Sequence, residues 1–161
     1  TNRRTTTRDR SLTRRPISRP SDHQSLRKLI AQQVNPSENI YRGRAGEFLA
    51  AFILEQHGLR TTHVDLPGDD LWCSHPRGHL IRVQVKSASR ALRPKDRKII
   101  RYNFKVGTKH PYNGVFIIAA MDLKLCLACT WDDIPPSTYK VDPTAFTKDA
   151  QSASIKREFD L

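Results

Sequence analysis

The sequence predicts a mixed α+β (or α/β) fold, with one central sheet flanked by helices and a basic N-terminal arm. Three observations carry this. Apolar residues recur at helical spacing up to residue 57. From residue 59 the pattern changes to six short runs rich in β-branched and aromatic residues, separated by turn residues. The first 20 residues hold seven arginines against one acid, a net +6 and half of the formal +12 on 161 residues.

The elements follow in chain order. Residues 1–20, "TNRRTTTRDRSLTRRPISRP", bury too little apolar surface to fold alone. They read either as a solvated tail or as an arm lying along phosphates. Arginine forks match phosphate oxygens, and the excess of arginine over lysine favours the arm. Arg3, Arg4, Arg8, Arg10, Arg14, Arg15 and Arg19 are then its nucleic-acid contacts. Residues 21–161 read as a single domain. Ser21 with Gln24 forms a capping-box pattern opening a short helix to about residue 34, with Leu26, Leu29, Ile30 and Val34 on one side. Asn35-Pro36 ends it.

A longer helix is expected over 38–57, with Gly58 as the residue that closes it. Its apolar stripe reads as Tyr41, Ala45, Phe48, Leu49, Phe52 and Ile53, with Glu47 at the border. The strands expected next are 59–66, 69–74 and 79–89, with a turn at Pro76-Arg77-Gly78. Residues 97–106, 114–120 and 123–131 follow as strands, and 143–159 as a final short helix.

Bulk properties limit the function. Strong positive charge favours a polyanionic partner, DNA first and RNA as the alternative, without selecting a reaction. The longest apolar stretch, "VFIIAAM" (115–121), is too short to span a bilayer, so no membrane partner is expected. Three cysteines argue against a disulfide framework and for a reducing, cytoplasmic or nucleoid-type compartment. No apolar signal core marks secretion. Cys126 and Cys129 form a C-x-x-C, but on a strand residues three apart face opposite sides, so small strand hydrophobes are expected rather than a zinc or redox pair.

The hairpin carries the chemistry. In "RVQVKSASR" (82–90), Val83 and Val85 point one way, and Arg82, Gln84 and Lys86 the other. With Ile81, Leu71 and Cys73 they define the core face. A three-residue turn pairs the strands symmetrically about Arg77 and sets Asp70 opposite Gln84. A turn one residue different would bring Asp69 there instead. A carboxylate, an amide oxygen and a lysine then share one face, near a helix bearing Glu47. Oxygen ligands on a rigid sheet suit Mg²⁺, with Mn²⁺ as the alternative. Lys86 would hold the attacking water or stabilise developing negative charge, as phosphodiester hydrolysis requires. Such a face could equally be solvated, with Asp69-Asp70 only beginning a turn.

"GEFLAAFILEQHG" and "GDDLWCSHPRGHLIRVQVKSAS" resemble the PD-(D/E)XK nuclease superfamily, which includes restriction enzymes, Holliday-junction resolvases and some homing endonucleases. The likeness spans about residues 43–130. It implies a restriction-endonuclease-like αβββαβ core and divalent-metal-dependent cleavage of DNA, junction-resolving or site-specific, by a homodimer. Carried over residue by residue, the catalytic positions are Glu47, Asp70, Gln84 and Lys86, with Asp70, Gln84 and Glu47 as metal ligands. Ser87 follows as a phosphate contact. The chain departs from the pattern twice: Gly68-Asp69 separate Pro67 from Asp70, and Gln84 replaces the third-strand acid in a Q-x-K arrangement. Glutamine keeps a carbonyl oxygen and loses a charge, which weakens metal affinity. A nuclease-fold binding module without chemistry is therefore a rival reading, as is a basic structural or assembly protein of a ribonucleoprotein or virion. In "YNFKVGTKHPYNG" (102–114), Tyr102 and Phe104 read as core, with Lys105, Lys109 and His110 adding charge.

Overall fold

A computed structural model describes residues 38–93, 99–107 and 110–161. The arm at 1–20 and the short helix expected at 21–34 lie outside the described residues. Helix α1 (Glu38–Gln56) leads into the antiparallel meander β1 (Arg60–Leu66), β2 (Asp69–Ser74) and β3 (Leu80–Ala88). Strand β4 (Tyr102–Lys105), β5 (Val115–Ala120), β6 (Leu125–Cys129), β7 (Thr138–Val141) and helix α2 (Lys148–Phe159) complete the chain. No described helix is long and apolar enough to cross a membrane.

Five strands form the central sheet in the order β1-β2-β3-β5-β6, and β4 pairs with β7 in a separate ribbon. The fold class is as expected, a mixed α+β arrangement, because β3 and β5 run parallel while every other neighbouring pair is antiparallel. The expected central sheet is joined by a separate two-stranded ribbon. Strand β7 has no counterpart in the sequence reading, since "TYKV" is four residues between proline-rich turns. It pairs Tyr139 with Phe104 and Val141 with Tyr102.

Both faces of the sheet are covered. Along β5, Val115, Ile117 and Ala119 join α1 and α2 in one core, while Phe116, Ile118 and Ala120 join the ribbon in another. That explains why the whole of β5 is apolar and buried. Cys126 and Cys129 fall into different cores, as their spacing predicts. Burial pushes their thiols, and that of Cys73, up to about 12, so all three stay protonated and behave as small hydrophobes.

The buried face of α1 is not the one its large apolar residues suggest. Tyr41, Phe48 and Phe52 are each more than half exposed, while Ala50, Ala51, Ile53 and Leu54 are buried. Close approach decides this. A Cβ on Gly46 would lie 2.6 Å from the Ser87 Cβ, so α1 meets β3 through its smallest side chains. The helix ends as expected, with Gly58 in the left-handed region at φ +82°.

The final helix starts later than residue 143. Asp142 accepts from Thr144 N and caps a 3₁₀ turn, Pro143–Ala145, and Thr147 then caps α2 through Ala150 N. From α2, Gln151 Oε1 accepts from Cys126 N and Ser154 Oγ accepts from Ala128 N. These bonds satisfy the open backbone of edge strand β6.

Candidate active site

The meander places the site. Ladder pairs Leu71–Val83, Trp72–Arg82, Cys73–Ile81 and Ser74–Leu80 are symmetric about Arg77, the register expected from the turn. Gly78 at φ +89° lets the turn close. Because β2 starts at Asp69, residues 86–88 of β3 pair only with β5, through Lys86–Ile118, Ser87–Ala119 and Ala88–Ala120. At that free edge Asp70 turns toward β3, and its Oδ2 accepts from Val85 N at 2.6 Å.

Gln84 lies on the same face as Phe116, its parallel partner, and is 7% exposed. Its Oε1 is buried with no hydrogen-bond partner. An orphaned carbonyl costs about 1–3 kcal/mol, which makes Gln84 Oε1 a candidate ligand atom. Lys86 is half-buried two residues on. Burial pulls its ammonium pKa below the ordinary lysine value, and the nearby Asp70 carboxylate offsets part of this. The face carrying Gln84 and Lys86 is therefore not a solvated strand face.

Beside Lys86 opens a cleft of about 730 Å³. Arg42, Lys86, Arg90 and Lys105 bring four cations to its walls, with Ser87 and Asn103 between them. The Ser87 hydroxyl donates to Arg42 O at 3.2 Å and ties the first turns of α1 to β3. Glu47 sits one turn further along α1. Its Oε2 accepts from Arg44 Nη1 at 2.8 Å and lies 3.7 Å from His63 Nδ1. Among the described residues no three His, Cys, Asp or Glu side chains cluster as metal ligands. Extending the register by one pair sets Asp70 opposite Gln84, so their oxygens are the ones a cation could take here. A divalent, oxygen-seeking ion fits that pair, because Gln84 Oε1 has no other partner and Asp70 commits only Oδ2 to the backbone.

The neighbouring aspartate has a different environment. Asp69 is 4% exposed and accepts from Arg82 Nε on both oxygens (3.0 and 2.8 Å), from Tyr112 Oη (3.0 Å) and from Trp72 Nε1 (2.9 Å). Burial alone would raise its pKa. Hydrogen bonds from Arg82, Trp72 and Tyr112, with the Arg82 charge, outweigh that and hold it below the ordinary aspartate value. With both oxygens engaged, Asp69 has no lone pair left for a cation, which leaves Asp70 as the candidate ligand.

Sequence reasoning missed this network, and it missed Arg42, Arg90, Asn103 and Lys105 as cleft residues. Parity did place Arg82 on the face of Gln84, but not against Asp69. Nothing local marks Tyr112, which lies 43 residues from the carboxylate it reaches.

No protein-family model and no curated protein matches this chain. Among solved structures, one similar to it is the bacterial homing endonuclease I-Ssp6803I, at 18% identity and a TM-score of 0.52, over 66% of this chain and 75% of that one. The core is endonuclease-like. At that identity the likeness is one of fold, and chemistry has to be argued from the side chains.

Proposed function

We propose that this chain is a divalent-metal-dependent endonuclease of the PD-(D/E)XK type, acting on DNA as a junction-resolving or site-specific enzyme and working as a homodimer. The observation that carries this reading is the orphaned Gln84 Oε1, two residues along β3 from Lys86 in the wall of a cationic cleft, in a fold shared with a homing endonuclease. Asp70 and Gln84 would hold Mg²⁺ or Mn²⁺, with Glu47 as a third oxygen donor from α1. When bound, such an ion supplies Lewis acidity at a phosphoryl oxygen. Arg42, Arg90 and Lys105 hold the flanking phosphates, and Asn103 adds a neutral donor. Lys86, partly desolvated, sets its charge where negative charge develops as the phosphorus–oxygen bond breaks. The arginines of the arm add affinity through further phosphates.

The test pairs nicking of supercoiled plasmid in Mg²⁺ and Mn²⁺ with duplex binding in EDTA, for wild type, Asp70→Asn and Lys86→Ala. Both variants should bind and neither should cut. Variants that cut like wild type would move the chemistry elsewhere. A wild type that binds yet never nicks linear, supercoiled or branched DNA would favour the binding module, the reading that Gln84's missing charge supports. Deleting residues 1–20 should flatten the log–log salt slope of binding by at least about two units. An unchanged slope would make the arm a bystander.

A further inference from the structure

We infer that the Asp69–Arg82–Tyr112 network positions the Asp70–Gln84 ligand pair, with the Tyr112 hydroxyl as a positioning group; the inference rests on the divalent-ion reading above. Asp69 gathers donors from three parts of the sheet: Trp72 on β2, Arg82 on β3 and Tyr112 on the segment entering β5. It therefore pins the first residue of β2 to β3 and β5 at once. Asp70, one peptide further on, follows that anchor. The chain enters β2 through the Pro67-Gly68 turn, with Gly68 at φ +89°, directly at the Leu66–Asp69 pair.

Tyr112 reaches the other ligand as well. Its ring meets Phe116 edge-on at 5.0 Å, and Phe116 is the direct parallel neighbour of Gln84. The Arg82 guanidinium stacks over the same ring at 5.3 Å. Gly114 makes room, since a Cβ there would lie 2.6 Å from the Tyr112 ring. Burial, then the hydrogen bond and charge of Asp69, hold the phenol well above the ordinary tyrosine value, with a smaller contribution from Asp70. The hydroxyl thus stays a donor to Asp69 throughout the working pH range. One side chain fixes the carboxylate before Asp70 and packs the aromatic beside Gln84.

Tyr112→Phe isolates the hydroxyl, because the ring contacts remain. Calorimetric titration with Mn²⁺ alone, on the full chain, should show affinity weakened by about tenfold, the usual scale for losing a group that orients a ligand. The melting temperature should fall by only about 2–4 °C, the scale of one lost hydrogen bond, and duplex affinity in EDTA should stay at the wild-type value. Tyr139→Phe, on the ribbon and away from the cleft, should bind Mn²⁺ like wild type. Wild-type Mn²⁺ affinity in Tyr112→Phe overturns the inference. So does a loss that vanishes at temperatures well below the melting transition, which would make the hydroxyl structural only. If Tyr112→Phe weakens Mn²⁺ binding and no DNA substrate is ever cut, the positioning role stands and the nuclease reading falls. A wild type that binds no divalent ion removes both.

Discussion

Two polar clusters flank the start of β2, one residue apart, and they are built on opposite rules. Around Asp69 the carboxylate is buried and both oxygens have donors. Around Gln84 and Lys86 the carbonyl is buried without a donor, and the cation has lost part of its water. The first arrangement lowers the free energy of the fold. The second raises it and is retained where a ligand would repay it. Between these two clusters, satisfied polar burial marks the scaffold carboxylate and unsatisfied burial the candidate ligand.

Substitutions at Lys86 should separate the two rules most sharply. Lys86→Met removes a partly desolvated cation and keeps the stem. Cleavage should fall by at least about 10², while denaturant unfolding shows a gain of about 1 kcal/mol. A destabilised Lys86→Met would mean the lysine belongs to the scaffold.

Asp69→Ala should do the reverse, lowering the melting temperature on the order of 5–10 °C by stripping Arg82, Trp72 and Tyr112 of a shared acceptor. An unchanged melting curve would remove its anchoring role. Acid titration sharpens the same point. A carboxyl whose folded pKa is depressed contributes stability that is fully present above the ordinary value of 3.8 and is lost as pH falls through the lower folded value. Asp69→Asn should flatten the acid limb of stability below pH 3.8, and an identical limb in both proteins would contradict this.

Gln84 allows a smaller, two-sided comparison. Gln84→Leu removes the orphaned carbonyl and should stabilise the fold by about 1 kcal/mol while weakening Mn²⁺ binding. Gln84→Glu adds a negative oxygen and should tighten Mn²⁺ binding by roughly tenfold, read by calorimetry. Equal metal affinity in wild type and both variants would place Gln84 outside the metal site.

Much of this was legible before any coordinates. The register about Arg77 follows from one turn and one alternation, and it sets Asp70, Gln84 and Lys86 at one edge. The opposite facing of Cys126 and Cys129 needs only the period of a strand. What failed depended on third partners. A helical wheel ranks Phe48 and Phe52 as core, but the approach of α1 to β3 at Gly46 admits only small residues, and the two aromatics face outward. The alternative that the polar face of β3 is open to solvent stayed available in the sequence because nothing near it announces the ribbon that covers its neighbours. Asp69 looked like a rival ligand for the same reason. The residue that completes its saturation, Tyr112, comes from a distant segment.

The single parallel ladder also has a temporal meaning. Leu71 meets Val83 across a short hairpin, whereas Val83 meets Val115 only after a crossover of more than twice that chain length. Shorter loops close at lower entropic cost, and local pairings form sooner. Asp70, Gln84 and Lys86 all belong to the meander, and Tyr112 arrives with β5. During synthesis the hairpin bearing Asp70, Gln84 and Lys86 therefore emerges before Tyr112, whose hydroxyl bonds Asp69.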